Sequence, residues 1–245
     1  MAVIPVCDAR AELSTHTFHF RGQTYAYALS LPEGYSSHAD QPWPLILYLH
    51  GAGKSGEDGL LPTRSGIYKA VEGNPTLYPA IVLIPQLKEH MYWSDQISLD
   101  FALALLDEVK THHLVDENRI YLSGASEGAL GSWRLAMHRP KLFAALVTVA
   151  SPFIMLLRND ELRVFGGEGS QLPIWISNSK GDGSIPYKRA GAVYRKLLEL
   201  RRVSSSPRLV LKEYEDFNHS QICTEAYKDP EMAEWLLTQK RRRAP

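Results

Sequence analysis

Cysteine is nearly absent: Cys7 and Cys223 are the only two in 245 residues. Two thiols so far apart make neither a metal site nor a dense disulfide framework, and leave room for one bridge at most. Net charge is absent too, since 27 Lys and Arg balance 27 Asp and Glu. Without a global field of either sign, nucleic acid and anionic membrane surfaces are not expected partners. No apolar run is long enough to span a bilayer. The first residues, Met-Ala-Val-Ile-Pro-Val-Cys-Asp, lack the charged start and apolar stretch of a secretory signal, so the chain reads as soluble and cytoplasmic. Internal repeats and low-complexity segments are missing as well. The one basic run, Lys240-Arg241-Arg242-Arg243, falls at the very end, where a solvated, frayed tail over 240–245 is expected.

What is present suits a globular fold. Hydrophobic content is 44% and charged content 22%. A chain of this length can bury one large core and is short for two, so a single domain over 1–245 is expected. Phe18–Phe20 and Thr24–Ser30 read as an antiparallel pair turning at Arg21-Gly22-Gln23. Five continuous apolar runs follow, at Pro44–His50, Ala80–Pro85, Ile120–Ser123, Ala144–Ala150 and Pro173–Ser177. Such runs suit strands covered on both faces, as in a parallel sheet. Arg208–Tyr214 reads as the last strand.

Helical patterns fill the gaps. One spans Leu99–Lys110, with Leu99, Leu103, Leu106 and Lys110 in a row. Others span Ala129–His138, Lys188–Leu200, and a final stretch from Asp229-Pro230 through Trp235 and Leu237. Strand–helix alternation after an antiparallel start predicts a three-layer α/β sandwich with a mostly parallel central sheet. In such sheets ligands bind beyond the carboxyl ends of the strands, so the chemical residues should follow strands. Residues 151–172 read as a crossover or cap segment, a helix plus a Gly-rich loop.

Gly124-Ala125-Ser126-Glu127-Gly128 spells G-x-S-x-G between the strand ending at Ser123 and the helical pattern from Ala129. Strand, sharp turn and helix form the context of a nucleophile elbow, which lifts a strained serine above the sheet edge. A serine hydroxyl needs a neighbouring base at neutral pH. Among nine histidines, His219 in Asp216-Phe-Asn-His-Ser220 follows the last strand, where a base must hang over the strand ends. His138 reads as a helix-end charge, and His50 as structural. The base in turn needs an acid to fix its tautomer. Asp182, between Gly181 and Gly183 after the fifth apolar run, is that candidate, with Asp216 and Glu215 as substitutes. The order Ser126, Asp182, His219 is the one this architecture requires. Oxyanion stabilisation needs two preorganised amide donors. The Glu127 N–H is expected to be one, and Ala52 in His50-Gly-Ala-Gly53 the other. His-Gly-Ala-Gly-Lys-Ser lacks the spacing of a phosphate loop. Tyr92, Trp93 and Phe153 are candidate pocket-lining residues, with core or rim packing as the alternative reading of each.

These segments, with Leu31-Pro-Glu-Gly-Tyr35, Ile84-Pro-Gln86, Val115–Ser126 and Asp182-Gly-Ser-Ile-Pro186, resemble the α/β-hydrolase group of small serine esterases. That group includes predicted prolyl-oligopeptidase-like peptidases, polyhydroxybutyrate depolymerase-like and feruloyl esterase-like proteins. The resemblance covers about Thr24 to Trp235. It implies hydrolysis of a carboxylic ester, in a small molecule or at a polymer end, through an acyl-enzyme and without metal or cofactor. A peptidase with the same triad, a thioesterase or acyltransferase, and a catalytically weakened binding protein are the alternatives. Two departures stand out. Relatives carry Met or Gln where this chain has Glu127, and an aromatic residue where Gln221-Ile-Cys-Thr224 follows His219. A carboxylate beside an oxyanion donor could oppose catalysis.

Overall fold

The structure, a computed structural model, describes residues 11–38, 40–152, 161–166 and 172–241. Strands β1 (Glu12–Phe20), β2 (Gln23–Leu31), β3 (Trp43–Leu49), β4 (Ile81–Pro85), β5 (Val115–Ala125), β6 (Ala145–Val149), β7 (Ile174–Ser179) and β8 (Leu209–Tyr214) form one sheet. Its order is β1-β2-β4-β3-β5-β6-β7-β8. The strands from β4 to β8 in this order run parallel, and the β1–β2 hairpin joins antiparallel to β4. The hairpin turns on Arg21 and Gly22, both at positive φ (48° and 76°). That is the two-residue turn whose twist matches paired strands.

The helices are α1 (Ile67–Gly73), α2 (Gln96–His112), α3 (Glu127–His138), α4 (Tyr187–Arg201), α5 (His219–Glu225) and α6 (Pro230–Thr238). Each inner strand buries alternate residues against opposite layers. On β3, Leu45, Leu47 and Leu49 join the core with α2, α3 and α4, while Ile46 and Tyr48 join the core with α1, α5 and α6. The continuous apolar runs are therefore double-faced strands, as expected. The three-layer α/β sandwich is the observed fold. Among the described residues no helix is long and apolar enough to cross a membrane.

Several details depart from expectation. On α2 the buried set is Ser98, Leu99, Phe101, Ala102, Leu105, Leu106 and Val109, with Leu103 packed half-buried against the core and Lys110 at its edge. Helices α1 and α5 were not expected. Of the crossover segment, residues 151, 152, 161–166 and 172 are described; Glu161–Phe165 forms a short 3₁₀ turn whose Phe165 ring packs edge-on against Trp133 at 5.4 Å. Phe153 lies outside the described residues. At the C-terminus, Arg241 is tied down, its N–H donating to Asn118 O at 2.8 Å and its guanidinium to Lys141 O at 3.3 Å. The fraying expected from 240 onward does not hold there; residues 242–245 lie outside the described set.

Candidate active site

The strand order reverses around β3, which has β4 on one side and β5 on the other. The loops leaving β3 and β5 start there at the carboxyl edge, which is where ligands bind in sheets of this kind. Leu49 and Gly124 are register partners, so the Gly51–Gly53 loop and the Ser126 turn start at the same height.

Ser126 has φ 52° and ψ −121°, a conformation that L-residues avoid. Its N–H donates to Val149 O at 2.9 Å on β6, fixing the turn to the neighbouring strand. The two motif glycines are demanded by space. A Cβ on Gly128 would lie 1.9 Å from Leu49 O, and one on Gly124 would lie 2.3 Å from Gly128 O. Helix α3 thus sits directly against the end of β3, and only hydrogen fits between the backbones.

The structure brings Ser126, His219 and Asp182 together from the ends of β5, β8 and β7. Ser126 Oγ lies 2.9 Å from His219 Nε2, and His219 Nδ1 lies 2.8 Å from Asp182 Oδ2. The Asp182 side chain is fully buried, while that of His219 keeps 27% of its exposure. Asp182 Oδ1 accepts the N–H groups of Ser184 and Ile185 at 2.8 and 2.9 Å. One carboxylate oxygen is thereby locked in its own loop, and the other is aimed at the imidazole. A carboxylate at Nδ1 favours the tautomer with its proton there, leaving Nε2 free to accept from the serine hydroxyl. Asp216 and Glu215 are not the partners. His219 opens α5, held by a capping box: Asn218 Oδ1 accepts from Gln221 N and Gln221 Oε1 from Asn218 N, both at 3.0 Å.

The candidate oxyanion loop is fixed from beneath. His50 is buried; its Nδ1 donates to Gly51 O at 2.9 Å and its Nε2 accepts from Leu87 N at 3.1 Å. Burial lowers its pKa to about 4, against the opposing pull of the Gly51 bond, so the ring is neutral near pH 7. The structural role expected for His50 is the one observed. Gln86 is also buried. Its amide donates to Lys54 O at 3.1 Å and Asp58 Oδ1 at 3.0 Å, and its Oε1 accepts from Gly59 N at 2.7 Å. This anchoring of the 54–59 loop had no signal in the sequence beyond a glutamine after an apolar strand.

Of the pocket-lining candidates, Tyr92 is 55% exposed, at the surface of the loop before α2. Trp93 takes the core reading and not the pocket-lining one. It is fully buried, packs edge-on to His50 at 5.3 Å, and donates its indole N–H to His50 O at 2.9 Å. It therefore supports the loop from inside the core and lines no open pocket. The Glu127 side chain turns to this same loop: Oε1 accepts from Trp93 N at 2.6 Å. Burial raises the Glu127 pKa, with Asp95 adding to the effect and the Trp93 bond opposing it. The second departure, Gln221–Thr224, forms the body of α5. Cys223 stands one turn after His219 with its thiol pKa pushed up to about 12 by burial and by Asp182. Among the described residues no group of three His, Cys, Asp or Glu is arranged to hold a metal ion.

Comparison with known proteins bears on the family and the fold. The protein NocK of Nocardia uniformis subsp. tsuyamanensis, called a "putative esterase", is 30% identical over 162 residues, 60% of this chain and 43% of NocK. A thermostable esterase of known structure superposes with TM-score 0.75 at 24% identity, over 96% of this chain and 64% of that one. The feruloyl esterase module of Clostridium thermocellum, solved with sinapinate, superposes with TM-score 0.76 at 12% identity, over 98% and 92%. The chain thus spans less than two thirds of the length of the first two. A family profile described as "Esterase: Putative esterase" matches residues 20–202, most of the chain, and the protein belongs to that family.

Proposed function

We propose that the protein is a serine hydrolase that cleaves carboxylic esters through an acyl-enzyme. The carrying observation is the unbroken hydrogen-bonded line Ser126 Oγ, His219 Nε2, His219 Nδ1, Asp182 Oδ2, at 2.9 and 2.8 Å. In this reading Ser126 Oγ attacks the ester carbonyl while His219 Nε2 takes its proton. Buried Asp182 keeps Nδ1 protonated and stabilises the imidazolium. The oxyanion is received by the N–H groups of Glu127 and Ala52. Collapse expels the alcohol, which takes the proton from His219. A water molecule, deprotonated by the same imidazole, then attacks the acyl-serine, and Ser126 regains its proton as the acid departs. No residue in this sequence of steps needs a metal or cofactor.

Family membership supports ester over amide hydrolysis, and among the described residues none in the site favours the peptidase reading. The weakened binding protein drew its support from Glu127. Its side chain is engaged with Trp93 N, and the oxyanion donor in this reading is a different group, the Glu127 backbone N–H.

The substrate class is a small ester or the ester-linked end of a polymer. Since a solved relative in fold is a feruloyl esterase module, hydroxycinnamoyl esters belong in the first panel. Hydrolysis of p-nitrophenyl acetate through octanoate and of a ferulate ester, by wild type and Ser126→Ala, tests the proposal. Turnover should vanish in the variant with its cooperative melt retained. Retained turnover would place the nucleophile elsewhere.

A further inference from the structure

We infer that the Glu127 carboxylate is a positioning residue: by clamping the Trp93 N–H it ties the nucleophile elbow to the loop that carries the second oxyanion donor. This rests on the serine esterase reading above, and assigns to the side chain a role separate from that of its backbone N–H.

The two amide donors belong to segments with no shared element. Glu127 N is the first helical residue after the elbow, and Ala52 N lies in the loop after β3. Oxyanion stabilisation depends on both donors being held in place before the charge develops. The connection between them runs through the loop before α2. Glu127 Oε1 accepts from Trp93 N at 2.6 Å. The Trp93 indole donates to His50 O at 2.9 Å, and His50 Nδ1 donates to Gly51 O at 2.9 Å. Trp93 is fully buried and packed against α3, where a Cβ on Gly131 would approach its own Cβ to 2.4 Å. A rigid indole thus carries a fixed distance from the elbow helix to the carbonyl at the root of the oxyanion loop.

An ionised acceptor makes the shorter and stronger bond of this kind. It also brings negative charge into the neighbourhood of a developing oxyanion. Glutamine separates the two effects, since its amide oxygen accepts from Trp93 N without charge. Methionine removes both the bond and the charge while keeping the length of the side chain.

The experiment compares wild type, Glu127→Gln and Glu127→Met in two readouts. The first is hydrogen exchange at the Trp93 amide, followed site-specifically in the free protein. It should be slow in wild type and Glu127→Gln and at least tenfold faster in Glu127→Met. The second is steady-state hydrolysis of p-nitrophenyl butyrate. Glu127→Met should lose kcat about tenfold with KM within twofold, and Glu127→Gln should retain at least half of the wild-type kcat. Equal Trp93 exchange in all three proteins overturns the clamp, whatever the activity. So does Glu127→Met turning over as fast as wild type, or Glu127→Gln being as impaired as Glu127→Met. If wild type hydrolyses no ester while the exchange pattern holds, the esterase reading fails and the clamp stands as a feature of the fold.

Discussion

Replacing Ser126 with glycine should make the protein more stable than replacing it with alanine, and the difference measures the strain held at the elbow. Both variants remove the hydroxyl and its 2.9 Å contact with His219, so the lost hydrogen bond cancels in the comparison. What remains is the backbone at φ 52°, ψ −121°, which alanine must adopt and glycine adopts freely. A residue held in such a region costs about 1–3 kcal/mol. Against this, glycine gives the unfolded chain extra freedom, about 0.4–1 kcal/mol in the opposite direction. Taking about 2 and about 0.7 leaves about 1.3 kcal/mol in favour of Ser126→Gly. With an unfolding entropy of about 2.1 cal/mol/K per residue, a chain of this size has about 0.5 kcal/mol/K, so the melts should differ by about 2.5 °C. Differential scanning calorimetry of the two variants side by side, with urea midpoints as a second measure, reads this directly. If Ser126→Gly melts at or below Ser126→Ala, the elbow is not strained and its shape owes nothing to the surrounding packing.

Asp182→Asn should leave the fold intact but cost about 10³–10⁴ in kcat, because an amide no longer enforces the Nδ1-protonated tautomer. Steady-state kinetics beside a fluorophosphonate labelling rate would check it, and a loss below tenfold would move the acid elsewhere. Gly128→Ala places a Cβ 1.9 Å from Leu49 O, backbone against backbone. It should therefore lower stability by about 3 kcal/mol or more, seen as a lower urea midpoint. His50 sets a pH dependence with a definite sign. Its pKa falls from 6.5 unfolded to about 4 folded, so the unfolded chain binds more protons between these values and stability drops as pH falls from about 6.5 toward 4. The group alone contributes about 3 kcal/mol to that drop, and His50→Asn should remove this part of the slope in urea unfolding at pH 7, 5.5 and 4.

Where the sequence was legible, one cause dominated locally. Double-faced strands such as Leu45–Leu49 and Ala145–Val149 declare themselves because every residue must be apolar, and G-x-S-x-G is readable because the crowding at Gly124 and Gly128 permits nothing larger. The meeting of Ser126, Asp182 and His219 was inferred from their places after strands, which is topological reasoning and survives errors in helix bounds. Other features were hidden because tertiary contacts decide them. Strand β5 begins at Val115, well before the apolar run Ile120–Ser123 that marks it in the sequence. There Asp116 satisfies Asn118 N at 2.9 Å and the Arg119 guanidinium at 2.6 Å, and the pairing with β3 shifts register between Trp43 and Leu45. Helix α5 was readable in principle, since Asn218-x-x-Gln221 is a capping signature, but seven residues carry little periodicity. Trp93 stayed undecided because an aromatic residue near a site fits a pocket wall and a core support equally well, and only burial separates the two.

The arrangement of charge explains why so much of this support is neutral. The oxyanion loop is held by the His50 imidazole with its pKa near 4, the Trp93 indole and the Gln86 amide, each buried and hydrogen-bonded to backbone. Fixed dipoles of this kind need no counterion, and they do not reorganise when charge appears on the substrate. In the proposed mechanism buried negative charge lies instead on the far side of His219, where Asp182 would face the imidazolium that forms with the oxyanion. Glu127 is the exception, a carboxyl on the oxyanion side. Its position is explained only if the bond to Trp93 contributes more to holding the donors than the charge takes from stabilising the oxyanion. Glu127→Gln weighs those two quantities against each other: a kcat above wild type would mean that the charge is a burden the clamp has to outweigh, and a kcat equal to wild type would mean that the Trp93 N–H already neutralises it.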